Sequence, residues 1–291
     1  PDEVVLERPV QVINLLRANA DLMGFQRNLV VVGKNARATV LVCDHTLSDH
    51  HFLMNNTTEV SLAQGAYLDY YQVQNQHLGA SQVNSLFVSQ QRKAVFDGNM
   101  VTLYGGLIRN NMYVALHEEG GECNLYGMYI LDKNQVVDNF SYIDHIAPHC
   151  VSHEHFKGVM DDHSLANFSG YIRVRPDAQK TEAYQANNNL LLSEQARVNS
   201  KPQLMIDADD VKCSHGASVG QMDEEAMFYL RSRGIGPEEA RMMLMFGFAH
   251  DIIRHVRLEP LRRKIDDLID KRLRGELSKC YHCMMQCKKQ E

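Results

Sequence analysis

Three stretches of this sequence gather residue types that hold metals or carry thiol chemistry. The densest runs Asp209-Asp210-Val211-Lys212-Cys213-Ser214-His215-Gly216-Ala217-Ser218. A cysteine and a histidine two apart on an extended strand project to the same face, because strand side chains alternate. Such a pair suits a soft or borderline metal, and the imidazole could also assist thiolate formation. Two ligands do not close a metal shell, so Cys213 and His215 need a complement from elsewhere in the fold or from another chain. The same spacing equally fits a buried cysteine beside a hydrogen-bonded histidine at a strand end.

The second stretch is His145-Ile146-Ala147-Pro148-His149-Cys150-Val151-Ser152-His153-Glu154-His155. Its residue types are those of a metal centre. Alternation, however, separates His149, Val151, His153 and His155 from Cys150, Ser152 and Glu154, so no single face collects them all. Histidines on the outside of a solenoid are a sufficient explanation. The third stretch is the tail, with Cys280, His282, Cys283 and Cys287. Zinc sites built on Cys-x-x-Cys need a second ligand pair at a distance, and none follows, so the tail reads as a terminal segment with adventitious thiols.

Several enzyme signatures are missing. There is no Gly-rich phosphate loop, so nucleotide hydrolysis by this chain alone is not expected. No Gly-x-Ser-x-Gly elbow or His-Glu-x-x-His helix occurs, and no carboxylate pair nominates a glycosidase. The chain has 291 residues, 44% hydrophobic and 23% charged, enough for one large domain or two ordinary ones. Its net charge of −6 argues against a nucleic-acid partner. The longest apolar run, Met242 to Ala249, falls far short of the ~20 residues of a membrane span. No charged-then-apolar leader is visible from Pro1 onward. Seven cysteines, unevenly spread, fit a reducing cytoplasm better than a disulfide framework.

The elements that must position these residues change character near residue 221. Upstream, short stretches rich in Val, Ile, Leu, Tyr and Phe alternate with polar turns. The clearest are 28–32, 38–43, 67–73, 100–104, 125–131, 168–174 and 203–206. Small residues recur before the strands, in Gly33 to Ala38, Ala63 to Leu68, Glu119 to Leu125 and His163 to Gly170. Weak self-similarity with almost no helical period points to a β-solenoid or a large sandwich. Downstream, Asp223 N-caps a helix stopped by Gly234, and Pro237 opens a second, apolar almost all round and therefore buried internally or against a partner. Pro260 opens a third, with Leu261, Ile265, Leu268 and Ile269 on one face, ending near Gly275. The expectation is a β core over 1–221 followed by a helical cap over 222–291.

The run Lys201-Pro202-Gln203-Leu204, then Asp209 through Ala217, Gln221 through Glu225 and Phe228 through Ile235, resembles the SufB/SufD family. Val137-Asp138-Asn139, His145, Cys150, Ser152, Lys157, Ala178 to Ala183 and Asn188 to Ser193 agree in the same order. The resemblance covers roughly 26–275. In the SufB branch the central phrase typically reads Cys-Glu-His-Glu-Ala; here Ser214 and Gly216 flank the histidine, which is similar to the SufD branch.

The resemblance implies a mainly β fold, a right-handed parallel β-helix followed by a small C-terminal α-helical region, with the family's N-terminal helical region missing or truncated. It implies a non-enzymatic scaffold subunit of the SufBCD iron–sulfur cluster assembly complex. This subunit would pair with a SufB-like chain or with itself and dock a SufC-like ATPase through the C-terminal helices. His215 would then be a ligand, with Cys213, for a nascent cluster or iron shared with SufB, and no nucleotide would bind this chain. A SufB-like scaffold that carries the persulfide itself, or a homodimeric β-helix with a structural role, are the alternatives.

Overall fold

A computed structural model describes residues 1–274; the tail cysteines Cys280, Cys283 and Cys287 and the expected helix end at Gly275 lie outside them. Fifteen strands follow in chain order: β1 (Val10–Leu16), β2 (Leu22–Val32), β3 (Arg37–Thr46), β4 (Phe52–Leu62), β5 (Tyr67–Asn75), β6 (Ala80–Gln90), β7 (Val95–Tyr104) and β8 (Leu107–Leu116). Then come β9 (Glu122–Leu131), β10 (Val136–His145), β11 (Val151–Met160), β12 (Leu165–Val174), β13 (Glu182–Leu191), β14 (Arg197–Ile206) and β15 (Lys212–Gly220). Odd-numbered strands form one eight-stranded sheet and even-numbered strands a seven-stranded sheet, each in sequence order. Pairing is parallel throughout. That is a parallel β-helix, not a sandwich: each turn of chain contributes one strand to each sheet and stacks on the turn before.

The weak repeat of small residues marks a real corner. Before β3, β5, β7, β9, β11 and β13 stand Asn35, Gly65, Lys93, Gly120, His149 and Lys180, all with left-handed φ between 50 and 76°. Side-chain-bearing residues resist that conformation by roughly 1–2 kcal/mol. The amide of each is tied to the next turn, as in Asn35 N donating to Gln64 O at 2.9 Å and His149 N to Gln179 O at 2.9 Å. A small residue follows inward: Ala36, Ala66, Ala94 and Cys150 are all buried. At Gly65 a Cβ would lie 2.3 Å from Asn35 Oδ1, so the stacked corner itself excludes a side chain there.

Two apolar cores result. One fills the solenoid, with Tyr70, Phe96, Leu125, Phe156, Phe168 and Ile172 among its members. The second lies outside the odd sheet. There Leu41, Tyr71, Val101, Met128, Val159 and Leu190 meet the helices α2 (Pro237–Ile253) and α3 (Glu259–Leu273). Helices α2 and α3 therefore lie along the flank of the solenoid, against the outer face of the odd sheet. This also accounts for the apolar α2: Ala240, Met245, Ala249, Ile252 and Ile253 are buried within the chain. The first helix, α1 (Glu224–Ser232), is N-capped by Asp223, whose Oδ1 accepts from the amides of Glu225 and Ala226, and it has no buried residue.

Candidate functional site

Cys213 and His215 stand on β15, the last strand of the odd sheet. Cys213 lies beside Ala183 and His215 beside Gln185. The spacing of two places both side chains on one face, as alternation requires. Cys213 is half-buried and packs against the solenoid core. Burial pushes its thiol above the ordinary range, partly offset by the backbone at Ala183. His215 is exposed, and its Nδ1 lies 3.1 Å from the carbonyl oxygen of Pro202 on β14. A carbonyl only accepts, so Nδ1 is the donor in this contact, and Nε2 is the ring nitrogen left outside it.

The surroundings are open. A Cβ built on Gly216 or Gly220 would meet nothing within 4 Å, and β15 pairs only with β13. The strand's other edge presents unpaired backbone groups, and such an edge is a template for a second chain. The approach to β15 is anchored by Lys212 on Glu182 at 2.9 Å and by Lys180 on Asp210. Among the described residues, no three His, Cys, Asp or Glu side chains converge on one point as a metal centre. Cys213 and His215 thus share one face of an exposed terminal strand.

The histidine-rich stretch disperses. His145 is buried, with Nε2 2.8 Å from Ser152 Oγ, and burial lowers its pKa to about 4. His149 is a left-handed corner. Cys150 is a buried thiol donating to the Glu118 carbonyl at 3.5 Å. His153 stacks on Tyr184 outside the odd sheet, and His155 meets Asn188 Oδ1 at 2.8 Å. Glu154 points inward, fully enclosed, and burial pushes its carboxyl up to about 7. Gln185 Nε2 donates to Glu154 Oε2 at 2.6 Å. Glu154, Gln185 and His215 occupy the same position on three successive turns. The alternation of residues 149–155 carried the signal for this inward glutamate; its column with residue 215 required the register.

The chain matches the family described as SUF system FeS cluster assembly, SufBD core domain, over residues 15–248. It is 31% identical over 277 residues to the iron–sulfur cluster assembly protein SufD of Escherichia coli, covering 92% of this chain and 65% of that protein. It is 31% identical over 292 residues to an iron–sulfur cluster assembly SufBD family protein of Synechocystis, covering 97% and 62%. The iron–sulfur cluster assembly protein SufD of Bacillus subtilis is 27% identical over 280 residues, covering 94% and 63%. The chain spans less than two thirds of the length of each of these relatives.

Proposed function

The chain belongs to the SufB/SufD family and is SufD-like, and we propose that it is a non-catalytic scaffold subunit of iron–sulfur cluster assembly, pairing through the β15 edge with a SufB-like chain. The observation that carries this reading is the placement of Cys213 and His215 on one face of an exposed terminal strand, where they would supply part of a coordination shell. A second β edge laid against β15 would bring further ligands to the free Nε2 of His215 and would satisfy the strand's unpaired backbone groups. Iron or a nascent cluster is then the cargo held between two chains.

The raised thiol of Cys213 favours this reading over a persulfide carrier, since sulfur acceptance needs a thiolate. The ATPase partner would meet what the helices leave uncovered. Phe228 and Tyr229 of α1 are 75% and 58% exposed, and Met243 of α2 is 48% exposed. These exposed side chains are what a docked partner would cover. Nucleotide chemistry would come from that SufC-like subunit. A cytoplasmic location suits this role; no helix among the described residues is long and apolar enough to cross a membrane.

The test is anaerobic reconstitution with SufB-like and SufC-like subunits, comparing wild type with His215→Ala. The readouts are cluster absorbance per complex and assembly by size exclusion. Intact assembly with collapsed cluster yield supports the shared site. Unchanged yield would make the histidine structural, and assembly of this chain only with itself would favour the homodimer.

A further inference from the structure

The inward face of the odd sheet carries a polar file that ends at His215. Glu154 of β11, Gln185 of β13 and His215 of β15 hold one position on successive turns. On the even sheet, Ser141 of β10, Gly170 of β12 and Pro202 of β14 are likewise in register. Two members of the file cross the interior between the sheets. His215 places Nδ1 3.1 Å from Pro202 O. Gln185 reaches Gly170 one turn earlier: a Cβ there would fall 2.3 Å from Gln185 Nε2 and 2.9 Å from its Cδ. The missing side chain at residue 170 is the room that the amide fills. Neighbouring strands lie about 4.8 Å apart, so the Gln185 side chain forms the layer beneath the imidazole.

This amide is fixed from the side away from His215. Gln185 is buried, and its Nε2 donates to Glu154 Oε2 at 2.6 Å. Its Oε1 is buried and takes no donor. Among the described residues, the Glu154 contact alone therefore orients the amide. His215 is exposed, and its ring has a single hydrogen-bond partner among the described residues, the Pro202 carbonyl. A ring held by one bond turns about its side-chain torsions unless the space it could drop into is filled. Gln185 fills that space.

We propose that Gln185, anchored by Glu154, is a positioning residue for His215, its amide being the floor that holds the imidazole on Pro202. This rests on the reading of His215 as a ligand and adds to it two buried residues that act only through that ring. Which nitrogen of a histidine is open to a metal is set by the bond that the other makes. With Nδ1 kept as donor to Pro202, Nε2 is the nitrogen left for an incoming ligand.

Nitrogen–proton correlation spectra of the full chain, labelled at histidine and recorded at mildly alkaline pH, read both ring nitrogens of His215; His215→Ala identifies its signals. Wild type should show one protonated and one unprotonated nitrogen, with the proton on Nδ1. Gln185→Ala should replace this by two averaged nitrogens. Glu154→Leu, which removes the acceptor of the amide, should do the same, whereas Glu154→Gln keeps an acceptor there and should retain the wild-type pattern. A lower Tm in Gln185→Ala with an unchanged ring pattern overturns the proposal, as does a wild-type ring with its proton on Nε2. Should Gln185→Ala fail to fold, the two Glu154 variants decide. In the reconstituted complex, Gln185→Ala should lower cluster yield in the direction of His215→Ala. Full yield in Gln185→Ala beside collapsed yield in His215→Ala overturns the positioning role. Full yield in both overturns instead the reading of His215 as a ligand.

Discussion

Glu154 and His145 are buried in the same part of the solenoid and titrate in opposite directions. Burial raises Glu154 to about 7, from an ordinary 4.5. As pH climbs between those values the unfolded chain gives up the proton while the folded chain keeps it, so stability falls through that window by about 3 kcal/mol and is flat above it. Burial lowers His145 to about 4, from 6.5. As pH drops between those values the unfolded chain takes up a proton that the folded chain refuses, so stability falls in that direction by about 3 kcal/mol. In the wild type the two slopes oppose each other. Glu154→Gln should leave the histidine slope alone, with stability climbing from pH 4 to 6.5. His145→Gln should leave the reverse, and denaturant titrations across this range read both. Close packing sets a further expectation. A Cβ at Gly158 would sit 2.1 Å from Tyr129 Cε2, so Gly158→Ala should cost roughly 1–3 kcal/mol, measured the same way.

Among elements, the α2–α3 pair is held to the solenoid by a buried guanidinium. Arg272 is 4% exposed; its Nε donates to Leu103 O at 2.7 Å, Nη1 to Asp132 at 2.6 Å and Nη2 to Gln135 Oε1 at 2.7 Å. That contact holds the Asp132 carboxyl below its ordinary range against the opposing pull of burial. Arg272→Met strands these acceptors and should cost about 3–5 kcal/mol. Hydrogen exchange should then speed up in α3 while the central strands keep their protection. The same flank accounts for part of what was legible in the sequence. Strands β3, β5, β7 and β9 lie under helices on one face and the core on the other, so nearly every position is buried, and apolar residues crowd the segments 38–43, 67–73, 100–104 and 125–131. Strands β4, β6 and β8 escaped, because their inward positions carry Asn56, Gln82, Asn84 and Asn110, which bond to one another instead of looking apolar. The Cys213–His215 pair was visible from spacing, whereas Pro202, which orients the imidazole from thirteen residues away, was not.

For the whole molecule, each turn touches chiefly its neighbours, so stability is close to a sum over turns and interfaces. The terminal strands lack one neighbour. β15 is exposed along almost its whole length and β2 along half of its residues, including Phe25 at 70% and Leu29 at 68%. Hydrogen exchange should therefore show protection highest from β5 to β13 and lowest in β1, β2, β14 and β15; uniform protection would mean that the turns unfold as one unit. The left-handed corners carry a consequence for how this chain can change length. Each corner returns the backbone to the same phase, roughly every 27 to 31 residues. Excising the stretch from Lys93 through Glu119 would join one corner to the next and leave every later side chain on its own face. Removing one residue inside a strand would turn the remainder of that strand inside out. Insertions and deletions in such a chain are quantised, and the unit of inheritance is a turn of the coil.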